Sequence, residues 1–113
     1  MVLRINDKTT AKMALNAFKE ESRDFRFVLR EIVQNTLDYG KSGIINITKT
    51  QINIYQASGD FNELKRQVEI AKTKPEDGKG YGLKGILDHG YDIICSKINN
   101  RINIKLIKKD SKN

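Results

Sequence analysis

Four runs of β-forming residues come as two close pairs. Gly43–Thr48 (GIINIT) is followed by Gln51–Tyr55 (QINIY), and Tyr91–Ile98 by Arg101–Ile107. Only Lys49-Thr50 separates the first pair and only Asn99-Asn100 the second. Connections that short suit antiparallel hairpins, so each pair can fold back as one. Asn-Asn is good turn chemistry; Lys-Thr lacks the Gly or Asn that the tightest hairpins prefer.

Apart from one extended stretch at Val2–Ile5 and loops at 56–60 (QASGD) and at Pro75 and EDGKG (76–80), the rest of the chain reads as helix. Asn6-Asp7 can cap a helix running through Thr10–Glu21, and Arg23-Asp24 interrupts the pattern. Phe25, Val28, Leu29, Ile32 and Leu37 then recur at helical spacing through Tyr39, with Gly40 as the stop. Phe61–Ala71 and a short face at Leu83, Ile86 and Leu87 give two more helices between the hairpins. The order β-α-α-β-β-α-α-β-β predicts an α+β fold, a two-layer sandwich. Its sheet is expected to be mixed but mostly antiparallel, with helices on one face.

At 113 residues without linkers, repeats or low-complexity tracts, the chain is expected to be one domain, 1–113. With 38% apolar residues it has enough for a modest core. No apolar run approaches the ~18 residues of a membrane helix. The first ten residues are charged without a hydrophobic stretch, so neither a secretion signal nor membrane association is expected. A single cysteine forms no internal disulfide and fits a reducing, cytoplasmic setting. One His and one Cys exclude a zinc site.

The formal charge of +7 invites a nucleic-acid partner, but its location argues otherwise. Residues 101–113 (RINIKLIKKDSKN) carry five Lys/Arg and one Asp, more than half of the excess, with no aromatic residue to stack on a base. A solubilising charged end, with a basic tail at 109–113, is the plainer expectation. Binding of nucleic acid through Lys105, Lys108, Lys109 and Lys112 stays open as an alternative.

Two segments can carry chemistry. Along the helix at 25–39, Glu31, Asn35 and Asp38 are spaced i, i+4 and i+7, within one narrow arc at about 100° per residue. An amide oxygen is a hard, neutral ligand suited to Mg²⁺, and a neighbouring carboxylate can orient or deprotonate an attacking water or hydroxyl. The same row also fits a solvated polar face. The second segment is Asp77-Gly78-Lys79-Gly80-Tyr81-Gly82-Leu83-Lys84-Gly85. Glycines at 78, 80 and 82 let backbone N–H groups converge on an anion ahead of a helix whose N-terminal dipole points the same way. Lys79 and Lys84 can add charge at phosphates or simply be exposed. The segment is not a P-loop, since GxxxxGK[ST] is absent. Gly80-x-Gly82-x-x-Gly85 follows a polar loop instead of the strand that a dinucleotide fingerprint requires.

Taken together, REIVQNTLDYG (30–40), two strands, a linker, GKGYGLKGI (78–86) and a closing hairpin resemble the Bergerat-fold ATP-binding domains of the GHKL superfamily over about residues 24–108. That superfamily spans gyrase-type topoisomerases, heat-shock chaperone ATPases, sensor histidine kinases and MutL-type repair proteins. The resemblance implies ATP and Mg²⁺ as cofactors. In its terms Glu31 is the general base, Asn35 binds the metal, and Asp38 and Tyr39 lie near the nucleotide. Gly78, Lys79, Gly80, Gly82 and Leu83 form the phosphate-binding base of a lid over 60–80. The family's Asp-x-Gly-x-Gly box should fall just after Ile54, and here Gln56, Ser58 and Asp60 stand at the matching positions. The carboxylate that accepts from the adenine amino group is thus replaced by an amide, which accepts neutrally from a longer stem.

The activity expected on this resemblance is an ATPase or a serine kinase acting on or regulating a partner protein. The anti-sigma serine kinases are the nearest single-domain architecture, and a homodimer is compatible with it. The alternative is a degenerate fold that serves protein contacts without catalysis. His89 is expected to be a helix-end residue and Cys95 a small buried hydrophobe.

Overall fold

The computed structural model describes residues 1–73 and 81–109. The chain runs β1 (Val2–Ile5), α1 (Lys8–Ala17), α2 (Arg23–Asn35), a π-helical turn (Thr36–Gly40), β2 (Gly43–Ile47) and β3 (Gln51–Gln56). It continues with α3 (Phe61–Thr73), α4 (Tyr81–Asp88), β4 (Tyr91–Ile98) and β5 (Arg101–Lys108). The expected α+β class and element order are present. The strands form one sheet in the order β1-β2-β3-β5-β4, and all four pairings between described strands are antiparallel.

Both hairpins form as the spacing predicts, pairing Ile47 with Ile52 and Ile98 with Arg101. Asn99 takes a left-handed φ of 56°, a conformation Asn tolerates. Lys49 and Thr50 do not; Thr48 braces that turn instead, its Oγ1 accepting from the Gln51 N–H at 3.2 Å.

Helix boundaries moved for identifiable reasons. Asp7 caps α1 with a reciprocal Asp7–Thr10 capping box, so the helix starts at Lys8. It stops at Ala17, well short of Glu21, as the chain turns so that Phe18 packs on Phe25 with ring centroids 5.3 Å apart. Ser22 caps α2, its Oγ accepting from the Phe25 N–H, so Arg23 and Asp24 form the first turn of the helix and do not interrupt it.

One sheet face is covered. Alternate residues Ile45 and Ile47, Ile52 and Ile54, Ile102, Ile104 and Leu106, and Tyr91 and Ile93 point at the helices. They meet Ala11 and Ala14 from α1, Val28, Leu29, Ile32 and Val33 from α2, Val68 and Ala71 from α3, and Leu83 and Ile86 from α4. The intervening residues, among them Tyr55, Lys105, Ile94 and Ile98, form an open face. At about 25 cal/mol per Å² of apolar surface, the covered face supplies most of the folding drive. Among the described residues, no helix is long and apolar enough to cross a membrane.

Candidate functional site

The expected site residues that are described fall on four elements, α2, the π turn, β3 and α4. Glu31 and Asn35 lie one turn apart on α2, both half-buried at the margin of its apolar stripe. Beyond Asn35 the backbone changes pitch. Thr36 is fully buried and its Oγ1 donates to the Ile32 carbonyl at 2.7 Å, a side-chain bond that competes with the backbone ladder. Thr36–Gly40 form the π turn, a geometry found often at functional sites. It breaks the single arc expected for Glu31, Asn35 and Asp38. Asp38 is exposed and accepts from Gln34 Nε2 at 2.9 Å, while Tyr39 is 70% exposed. These two therefore turn away from the half-buried pair.

The glycine segment meets α2 where the described residues resume. Gly78, Lys79 and Gly80 lie outside the described residues, as does much of the expected lid over 60–80, whose residues 61–73 form α3. Gly82 sits in the first turn of α4, directly against Glu31: a Cβ added there would lie 2.6 Å from Glu31 Oε1. With the Glu31 side chain in this position, only glycine fits there. Leu83 is buried in the core, so only its backbone is available to a ligand. Gly85 has a different role from the one its place in the glycine run suggests: a Cβ there would lie 2.7 Å from a ring carbon of Phe27. Lys84 is tied to Asp88 at 2.9 Å along its own helix.

Gln56 ends β3 only 4% exposed. It fills the space between two glycines: a Cβ on Gly40 would meet its stem at 2.9 Å, and one on Gly59 would lie 3.5 Å from its Oε1. The Ser58 hydroxyl donates to the Gly40 carbonyl at 3.0 Å and ties this loop to the π turn. Among the described residues, no hydrogen bond is made by the side-chain amides of Gln56 or Asn35, or by the Glu31 carboxylate. The buried position of Gln56 was available from the alternation Ile52, Ile54, Gln56; the π turn had no comparable signal.

No family model matches the chain, and neither does any curated protein. The local geometry alone must therefore carry the functional reading.

Other groups have structural roles. The His89 ring stacks on Phe27 at 4.0 Å and 8°, its Nδ1–H donates to the Gly85 carbonyl at 2.7 Å, and Nε2 lies 3.9 Å from Asp24. This joins the end of α4 to the start of α2. Cys95 is half-buried against the core, more open than expected, and burial raises its thiol pKa. The basic residues of β5 are divided by strand alternation. Arg101 and Lys105 share the open face, and Lys108 belongs to the opposite one. Lys112 is outside the described residues. Two surface cavities of about 390 and 670 Å³ lie elsewhere, the larger lined by Phe18, Asp24, Phe25, His89 and Tyr91.

Proposed function

We propose that the chain is a cytoplasmic Mg-ATP-binding module of the Bergerat type, an ATPase or serine kinase that acts on or regulates a partner protein. One observation carries the reading: Gly82 approaches the Glu31 carboxylate closer than any other residue type allows. That contact joins the two segments on which the resemblance rests, far apart in sequence and unconnected by composition.

The donor set fits the group. Asn35, half-buried and without a side-chain hydrogen bond among the described residues, would hold the metal through its amide oxygen. Glu31 takes or orients the proton of the attacking hydroxyl. The backbone at the start of α4 receives phosphate oxygens. Bound Mg²⁺ would neutralise charge on the phosphates. Because Gly82 is in contact with Glu31, a triphosphate at the start of α4 would require the flexible Glu31 side chain to swing aside.

Gln56 favours a second reading. Its side chain, seated against Gly40 and Gly59, fills the place where the resemblance puts the adenine, as in a fold retained for protein contacts without catalysis.

A thermal-shift panel of nucleotides with and without Mg²⁺ separates the two. The first reading expects Mg-ATP to raise the melting temperature and Asn35→Ala to abolish the rise. No response at millimolar Mg-ATP, with a protein partner co-purifying, selects the second.

A further inference from the structure

β4 is an edge strand, and the two halves of its outer edge are treated differently. Lys109 N–H donates to the Gly90 carbonyl at 2.8 Å, which fixes the alternation: residues 90, 92, 94, 96 and 98 face β5, while 91, 93, 95 and 97 face outward. At Ile93 both outward groups are taken. Its N–H donates to Asp92 Oδ1 at 2.9 Å and its carbonyl accepts from Lys72 Nζ at 2.9 Å. Lys72 and Asp92 also pair at 3.5 Å, so side chains block this half of the edge. At Cys95 and Lys97 no other described residue bonds to the outward N–H and C=O groups; the Cys95 N–H meets only its own thiol sulfur.

The side chains around this open stretch sort by face. Ile94 and Ile98, 48% and 57% exposed, stand on the open sheet face. On the helix side stand Lys97 and α3, whose Lys65 and Lys72 act electrostatically on the Cys95 thiol. A second copy paired antiparallel would crowd the lysines of both copies onto one face, and like charges oppose that pairing. A strand with acids on one face and apolar residues on the other satisfies both faces.

We propose that the edge at Cys95–Lys97 takes up an extended acidic peptide by strand addition. Its backbone pairs with Cys95 and Lys97, its apolar residues cover Ile94 and Ile98, and its acids face Lys97 and Lys65. This inference is independent of nucleotide binding.

The test uses the full chain and a short capped peptide of alternating Glu and Val, read by fluorescence anisotropy and by amide exchange. The peptide is expected to bind, with new protection at the Cys95 and Lys97 N–H groups. Lys97→Glu, at an exposed site, should weaken binding by about fivefold or more. A peptide N-methylated at alternate residues removes the same bonds from the ligand side without touching the protein, and should not bind. The proposal is overturned by an absence of binding or by protection elsewhere. Equal binding of an alternating Lys–Val peptide, or of the same residues in block order, also refutes it. Concentration-dependent self-association protecting these same amides would assign the edge to a second copy.

Discussion

Gly82→Ala tests the contact on which the site rests, and its outcome follows from two opposing effects. Gly82 lies in the first turn of α4, where alanine favours the helix by at most about 1 kcal/mol. The new methyl group would stand 2.6 Å from Glu31 Oε1, too close to persist, but the obstacle is the end of a flexible side chain. Glu31 must swing out or leave its rotamer well, at about 0.5–1.5 kcal/mol. The two nearly cancel, so Gly82→Ala alone should change stability by less than about 1 kcal/mol. The informative quantity comes from a double-mutant cycle. In a Glu31→Ala background the obstacle is gone, and Gly82→Ala should stabilise by the helix term alone. The two substitutions should therefore couple by about 0.5–1.5 kcal/mol, read from urea midpoints at unchanged m-value. Additivity within about 0.3 kcal/mol would refute the contact, and with it the functional reading. A loss of more than about 2 kcal/mol in Gly82→Ala alone would refute the premise that Glu31 can yield.

Two further substitutions probe buried polar groups. Gln56→Asp puts a carboxylate where no protein hydrogen bond meets the amide, at a cost of about 2 kcal/mol near neutral pH. Burial should raise that carboxyl's pKa, so the loss should shrink as the pH falls through it; a flat pH profile would show Gln56 to be solvated. Tyr91 is buried and its hydroxyl pKa is raised, mainly by burial and then by Asp24 and Glu21. The folded state thus favours the neutral phenol. Its contribution is complete below the ordinary phenol value and is lost as pH rises through the raised one, so Tyr91→Phe should flatten the alkaline limb of a melting-temperature profile.

What the sequence disclosed about this chain divides by range. Hairpins were legible because two-residue connections suit one topology, whereas Gln56, expected in a loop, continues the inward alternation of Ile52 and Ile54 at the end of β3. Strand order was not, since β5 inserts between β3 and β4 through pairings such as Ile54 with Ile104, half the chain apart. At the site, the Glu31–Asn35 pair was readable from helical spacing and survives because both residues precede the pitch change. Asp38 and Tyr39 were read with the same period, but the Thr36 hydroxyl bonds to Ile32 and the next turn widens, rotating them toward solvent. Gly82 and Gly85 look alike in sequence, two glycines in one run, yet they are required by different neighbours, a carboxylate and an aromatic ring. A glycine pattern states where the backbone must approach something closely. Only the partner at the other end of that approach separates a ligand-binding glycine from a packing one, and for Gly82 that partner is the residue the proposed chemistry needs.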